Sequence, residues 1–543
     1  MTTYDGRLEL TWTNKALRLL AYDDGSYEWV PPADYRVAEV RLLHDTATVG
    51  DVHSVGHRAQ DNLLIRGDAL NALTSLIELP EFEREYAGKV KLAYLDPPFN
   101  TQRSFLHYDD ALEHSVWLAI MRDRLMQVKT LLAPDGSLYV HCDASEGHYL
   151  KVLMDEVFDR SNFRNEIVWK RTTAHSDAHT WSQVTDSILF YTKSSLFTWN
   201  PPYMTHNEDY IAAKYTRVDP DGRRYQLDNL TSPNPRPNMT YEWKGFEPPA
   251  FGWRYSRETM ARLDAEGRIW YPDDRLKRPR LKRYLDESKG RLTDNLWNDL
   301  PPVNSQAHED TGYDTQKPEA LIERIVSASS NPGDVVLDCF LGSGTTAAVA
   351  QKMGRRWVGV ERSRESVERF ALPRLTKVIE GRDAAGITKH VGWLGGGGFR
   401  VLDVAPSMFE VVGGQVFLSD WATNGKLGEV TAAQLHYDYE YAPPFSGRRG
   451  RSRLAVIDGL VNEDVVRLIA DALLAEERVV VCGTAVDPDA KEVIRKLRPG
   501  STVRKIPQSI LQEYRQTARW IQPRLMGVDE SGVPQSEQEA ANA

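Results

Sequence analysis

Three cysteines in 543 residues, Cys142, Cys339 and Cys482, are too few and too far apart for a disulfide framework or a four-cysteine zinc site. No apolar run approaches the roughly 20 residues needed to cross a bilayer. The opening Met1-Thr2-Thr3-Tyr4-Asp5 also lacks the basic and apolar regions of a signal peptide, so a cytoplasmic chain away from membranes is expected. Positive charge is not in excess: 67 Lys and Arg against 77 Asp and Glu leave a net charge of -10. That argues against a protein that coats nucleic acid, yet leaves room for a local basic groove. No nuclease or translocase signature is present, and no metal site is expected. The cluster His141, Cys142, Asp143, His148 begins on a probable strand, where successive side chains point to opposite faces.

What is present fits a soluble chain of two or three domains, 41% hydrophobic and 27% charged. Apolar strands at Asn62–Ile65, Val90–Leu95, Ser137–Val140, Glu166–Trp169, Ser187–Tyr191, Val335–Asp338 and Trp357–Val360 alternate with helical patterns at Ala69–Leu79, Ser115–Leu132, Glu146–Phe158 and Leu321–Ser330. Pro134-Asp135-Gly136 reads as a turn. Such alternation predicts an α/β fold with a mostly parallel, doubly wound sheet. The expected division is an N-terminal extension (1–60), two halves of one sheet domain (61–197 and 308–390), a proline- and aromatic-rich insertion (198–307), a smaller C-terminal α/β domain (391–526) and a disordered tail (527–543). Gly395-Gly396-Gly397-Gly398 is the flexible joint before the C-terminal domain.

Two loops carry chemistry. Asp96-Pro97-Pro98-Phe99 follows the strand ending at Leu95, at the strand end where open α/β sheets bind ligands. The prolines donate no backbone hydrogen bond and hold the chain extended, leaving carbonyls free. With the Asp96 carboxylate and the Phe99 ring they offer acceptors for an amino group and a flat surface for the ring that bears it. By itself, such a segment is more often a strand terminator. The second loop, Phe340-Leu341-Gly342-Ser343-Gly344-Thr345-Thr346, follows Asp338 and opens a helix whose N–H groups face a ligand. Glu361, at the end of the next strand, is placed for ribose hydroxyls. The third glycine of the dinucleotide fingerprint is missing, and no Gly-Lys-Ser/Thr follows, so neither a nicotinamide fingerprint nor a P-loop is complete. An adenosine ribose with a small charged tail suits the loop better. Asp68, between a strand and a helix, is either a ligand partner or a helix cap.

Within the insertion, Arg268, Arg275, Lys277, Arg278, Arg280, Lys282, Arg283, Lys289 and Arg291 are interleaved with Trp270, Tyr271 and Tyr284. A charge run is usually a solvated face, but guanidinium groups among aromatics in an acidic chain point to a phosphate-tracking surface.

Asp96-Pro97-Pro98-Phe99, then Thr315-Gln316-Lys317-Pro318, then Asp338 to Thr346, then Val358-Gly359-Val360-Glu361, together resemble the beta class of amino-methylating DNA methyltransferases. The likeness runs from about Asn62 to Phe370 and is greatest to modification subunits of type III restriction systems. Phe99 stands where tyrosine is commoner and Cys339 where proline is usual. The resemblance implies site-specific methylation of the exocyclic N6 of adenine, since Asp at position 96 marks the adenine enzymes; cytosine N4 or a catalytically silent specificity subunit are the alternatives. It further implies S-adenosylmethionine, held by Asp68, Lys317, Asp338, Phe340, Gly342, Ser343, Gly344, Thr345 and Glu361, and a catalytic set of Asp96, Pro97, Pro98 and Phe99. The implied partners are double-stranded DNA with the target base flipped out, a second copy of the chain and a separate restriction and translocase subunit. Residues 198–307 become the target-recognition region, with Arg275, Lys277, Arg278, Arg280, Lys282 and Arg283 on the phosphate backbone. All of this requires the strands ending at Leu95 and Asp338 to be neighbours.

Overall fold

The computed structural model describes residues 10–22, 26–99, 113–173, 180–304 and 306–526. The tail from 527, expected to be disordered, lies outside them. Ten strands form the central sheet: β1 (Leu43–Gly50), β2 (Asn62–Arg66), β3 (Val90–Leu95), β4 (Leu132–Cys142), β5 (Phe163–Lys170), β6 (Thr185–Thr192), β7 (Leu296–Trp297), β8 (Val335–Asp338), β9 (Arg356–Glu361) and β10 (Gly398–Val404). They lie in the order β7-β5-β6-β4-β3-β8-β9-β2-β10-β1. From β4 across to β10 every neighbouring pair is parallel. Strand β6 runs antiparallel to β4 and β5, and β1 antiparallel to β10. The sheet is doubly wound, and its switch point falls between β3 and β8, because the strands after β3 build outward one way and β9 builds the other.

Strand periodicity explains the two layers of helices. In β3, Ala93 and Leu95 face a core shared with α1 (Ala69–Glu78), α2 (His114–Leu131) and α3 (Gly147–Phe158). Leu92 and Tyr94 face the opposite core, shared with α4 (Glu319–Ser329), α5 (Thr345–Lys352) and α6 (Leu372–Ile379). Both faces of the central strands are covered, which is why they read as continuous apolar runs. Each buried leucine there contributes about 1.5–3 kcal/mol by leaving water.

Three local expectations change. Pro134-Asp135-Gly136 is not a turn before a strand but a bulge inside β4: Val90 faces Leu132, and the next partners are Leu92 and Ser137. Strand β1, expected within an N-terminal extension, is the edge of the main sheet, paired with β10 from Gly398↔Gly50 to Val404↔Leu43. The glycine run is also no loose joint. Gly396 N–H donates to the Ile379 carbonyl at 2.8 Å, Asp51 N–H donates to Gly397 at 3.0 Å, and Gln351 Nε2 donates to Gly396 at 3.0 Å. Glycine is needed there because backbone passes backbone: a Cβ on Gly398 would meet the Val49 carbonyl at 2.6 Å and that of Asp51 closer still.

The described residues up to Asn200 and from Asn295 onward form one compact unit, and Pro201–Asp294 another. Within the first, a five-stranded sheet (Asp438–Ala442, Phe445–Arg449, Ser452–Val461, Arg478–Val486, Thr502–Lys505) continues the core of the main sheet through Leu435, Leu454, Ile506 and Tyr514. Gln434 clasps both backbone groups of Val40, accepting its N–H at 3.0 Å and donating to its carbonyl at 2.7 Å. The second unit has a four-stranded antiparallel sheet packed around Leu230, Trp253, Met260 and Leu281. No helix among the described residues is long and apolar enough to cross a membrane.

Gly398→Ala should lower the urea unfolding free energy of the chain by on the order of 2–4 kcal/mol, because the new methyl meets main chain that cannot swing aside.

Candidate functional site

The glycine loop is built by two residues in the left-handed region. Gly342 has φ +52° and Gly344 φ +82°, and Gly344 caps α5 without any side-chain acceptor on the exposed N–H groups. Asp338, at the end of β8, folds the loop back by accepting from Phe340 N–H at 2.9 Å and from the Thr346 hydroxyl at 2.6 Å. Glu361 supports it from β9, accepting from Gly342 N–H and Ser363 N–H, both at 2.8 Å. Burial pushes the Asp338 carboxyl up to about 7, reinforced by the nearby Asp96 and Glu361 charges and opposed by its two hydrogen bonds. Burial likewise raises Glu361, against the amides that face it. A Cβ on Gly342 would come within 3.2 Å of the Tyr313 ring, so this glycine lies in close contact with that aromatic wall. Phe340, half-buried, packs on the core beside it.

The hydroxyls of the loop turn inward. Arg374 on α6 donates to Thr345 at 2.8 Å and reaches Ser343 at 3.5 Å, while its other arm donates to Glu319 at 2.9 Å. Glu319 also receives Lys352 at 2.7 Å, and the Thr345 hydroxyl donates to the Lys317 carbonyl at 3.3 Å. The loop is thereby tied to the start of α4.

Asp96 lies at the end of the adjacent strand, β3. Its Oδ2 accepts from Lys317 Nζ at 2.6 Å, and that ammonium sits 4.9 Å from the centre of the Phe99 ring. Its Oδ1 is buried and has no hydrogen-bond partner among the described residues. A buried carboxylate oxygen left unpaired costs about 1–3 kcal/mol or more, so it is a vacancy for a donor. The Pro98 carbonyl is taken by Trp117 Nε1 at 2.6 Å, whereas no donor reaches the Pro97 carbonyl among the described residues. Asp68 turns out to be the helix cap, accepting from Leu70 N–H at 2.7 Å, and it is also paired with Arg124 at 2.9 Å.

A family model described as DNA methylase (N6_N4_Mtase) matches residues 90–372, just over half of the chain. The chain belongs to the DNA methylase family. The matched interval contains both loops, Lys317 and Glu361, and leaves Asp68 outside. Among curated relatives of this methylase, the "Probable type III restriction-modification enzyme HindVI Mod subunit" of Haemophilus influenzae is 33% identical over 66% of this chain and 56% of its own length. The type II methyltransferase M.EcaI of Enterobacter cloacae is 36% identical over 53% of this chain and 66% of its own. The DNA adenine methyltransferase YhdJ of Escherichia coli is 24% identical over 56% and 80%. The chain thus spans about half to two thirds of the length of the first two relatives.

The inserted unit of this methylase divides the basic stretch in two. Lys282 is held by Asp219 at 2.7 Å, Arg283 faces Asp228 at 3.3 Å, Arg280 donates to Asn229 at 2.9 Å, and Arg268 pairs with Glu287 at 2.5 Å. Arg275, Lys277 and Arg278, by contrast, are exposed on the connection between Ile269–Trp270 and Arg280–Tyr284; Arg275 is lodged on the Lys244 carbonyl at 2.9 Å. Lys277 and Arg278 make no side-chain hydrogen bond, ion pair or ring contact among the described residues. A linear sequence shows the charges but not the carboxylates that fold against them. Arg374, Glu319 and Tyr313 were missed as parts of the site because they belong to an amphipathic helix, a helix start and a loop with no motif of their own.

The raised Asp338 carboxyl has a consequence for stability. Its folded value lies above that of an unfolded Asp, about 4, so the stability associated with its proton is complete below about pH 4 and is lost as pH rises through about 7. Asp338→Asn keeps one acceptor for Phe340 N–H and removes the titration. In urea titrations it should exceed the wild type by about 1–3 kcal/mol at pH 8, the gap closing towards pH 5.

Proposed function

We propose that this chain transfers a methyl group from S-adenosylmethionine to the exocyclic N6 of adenine in double-stranded DNA, with the target base swung out of the helix. The observation that carries the reading is Asp96: one oxygen held by Lys317, the other buried and vacant, beside the glycine loop on the neighbouring strand. S-adenosylmethionine supplies a methyl on a positively charged sulfur. The residues present fit such a group. Asp96 and Glu361 both act on the buried Asp338, a concentration of carboxylates that favours a cationic ligand and would repel the pyrophosphate of a nicotinamide dinucleotide. In this reading the main chain of Gly342, Ser343 and Gly344, with Thr345 and Phe340, holds the methionine end. Glu361 takes the ribose, Asp338 shapes the loop, and Lys317 and Asp68 complete the wall.

The amine of adenine is a poor nucleophile because its lone pair is spread into the ring. Asp96 Oδ1 and the Pro97 carbonyl accept its two N–H groups, which localises the pair and aims it. Lys317 fixes the rotation of the Asp96 carboxylate so that one oxygen is always presented. Pro98, bonded to Trp117, anchors the loop, and Phe99 stacks on the extruded base. Adenine is preferred to cytosine on the identity of Asp96 and on the likeness to a relative named as an adenine methyltransferase. The likeness to a Mod subunit extends the reading to a restriction-modification system, with a second copy of the chain and a separate restriction subunit as partners. In the inserted unit, Lys277 and Arg278 are the residues best placed for phosphates, with Arg275 beside them.

Long-read sequencing of DNA from cells expressing the chain should report methylated adenine in one sequence context; unmodified DNA would sink the proposal. Asp96→Ala should lower methyl transfer at least about 10²-fold while calorimetry shows S-adenosylmethionine still bound. Lys277→Ala and Arg278→Ala should each reduce the salt slope of DNA binding by about 1. Lys282→Ala should instead destabilise the inserted unit, since it takes the ammonium from Asp219 and leaves that carboxylate to the Tyr284 hydroxyl, as a thermal melt would register.

A further inference from the structure

Behind Phe99 lies a buried polar assembly that the transfer step does not use. His141, on β4, is wholly inaccessible, as is its partner Asp186 on β6 to within 1%. The Tyr94 hydroxyl and His141 Nδ1 share a hydrogen bond of 2.8 Å, and His141 Nε2 contacts Asp186 Oδ2 at 3.2 Å, with Arg171 3.3 Å from the other Asp186 oxygen. Both ring nitrogens are thus engaged from opposite sides, which fixes the plane of the imidazole. Trp169 meets it edge-on, centroids 5.6 Å apart at 83°. On its remaining side stands Phe99, centroids 5.5 Å apart and inclined by 34°.

Burying a histidine, a tyrosine hydroxyl and a carboxylate together is costly, the more so because Asp186 Oδ1 has no hydrogen-bond partner among the described residues and only the Arg171 charge nearby, and a core of apolar residues would avoid that cost. Phe99, at a strand end and half-exposed, has rotamers to lose, and a stacking surface is useful only if its plane is already set before the base arrives. Among the described residues, the ring that backs it is His141. We infer that His141 is a positioning residue: clamped by Tyr94 and Asp186, it holds the Phe99 ring in the plane that receives the extruded base. This rests on the reading of Phe99 as the stacking surface given above.

The full-length chain carrying His141→Ala, Phe99→Ala, both, or Tyr94→Phe would be compared in steady-state transfer from radiolabelled S-adenosylmethionine. The comparison would be repeated by fluorescence of a duplex with 2-aminopurine at the methylated position. His141→Ala should lower kcat about ten-fold, within the range of one base–aromatic stack, and weaken the fluorescence rise, with calorimetric affinity for S-adenosylmethionine unchanged. The double variant should be no slower than Phe99→Ala alone. Tyr94→Phe, which keeps every ring and removes one tether, should show a smaller loss of the same kind, and it carries the test if His141→Ala does not fold. Losses that multiply in the double variant, or a loss confined to S-adenosylmethionine affinity, would overturn the assignment. A wild-type chain that transfers no methyl group fails the functional reading itself; wild-type transfer that neither His141→Ala nor Tyr94→Phe disturbs fails only the role of His141.

Discussion

The parallel pairing of β3 with β8 is the constraint on which the site depends. Val336 lies opposite Leu92 and Leu337 opposite Ala93, so two strands more than two hundred residues apart in the chain end at the same edge of the sheet. Asp96 and Asp338 are the residues that emerge there. Nothing local brings them together, since each loop has its own reason to turn: two prolines in one case, left-handed glycines in the other. Their proximity is a property of the sheet order, and a doubly wound sheet opens a crevice at just this reversal. Lys317 then spans the crevice by binding Asp96, although it is introduced by a third segment, the start of α4.

How Lys317 is held there follows from charges buried behind it. Glu319, two residues on, meets both Lys352 and Arg374, and all three are nearly or wholly inaccessible. Taking such groups out of water is costly, and a buried pair seldom exceeds an apolar substitute in stability. Its merit is orientation: the same Arg374 holds the hydroxyls of Ser343 and Thr345, so α4, α5 and α6 meet in one bonded arrangement. Gly386 leaves room for the Glu319 carboxylate, which a Cβ there would strike. A glycine loop alone would be pliable; this one is pinned by hydroxyls on one side and by the Glu361 carboxylate on the other.

Much of this was legible in the chain. Strands covered on both faces announce themselves as apolar runs, so β3 and β8 fall at the residues expected, and the resemblance supplied the order of the loops. What escaped was whatever depends on distant partners. β1 was assigned to the N-terminal extension because an edge strand with an exposed run such as Asp45 to Thr48 carries little apolar signal, and β10, buried between β2 and β1, was assigned to the C-terminal domain because it follows the glycine run taken as a joint. The four consecutive glycines read as slack, yet each close approach of main chain that makes them necessary comes from another segment. Lys282 and Lys277 look alike in sequence and differ only in whether an aspartate folds against them. His141 was set aside as a metal ligand because strand alternation sends Cys142 to the other face, and it does: Cys142 joins one core while His141 bonds Tyr94 of the other. The same alternation could not reveal that it stands behind Phe99.

The second unit leaves the first and returns to it at hydrogen-bonded positions. At the departure, Asn200 is fastened to the end of α4, its N–H donating to Ala328 at 2.7 Å and its side chain to Ser327 at 3.1 Å. At the return, Asn295 accepts from Val168 N–H at 2.8 Å and leads into β7, which pairs with β5. Both anchor points therefore belong to the rigid sheet and its helix layer, on elements other than β3 and β8. Loops of variable content on a fixed scaffold are the usual arrangement for readout, and here the scaffold is closed on itself by hydrogen bonds at each end of the insertion.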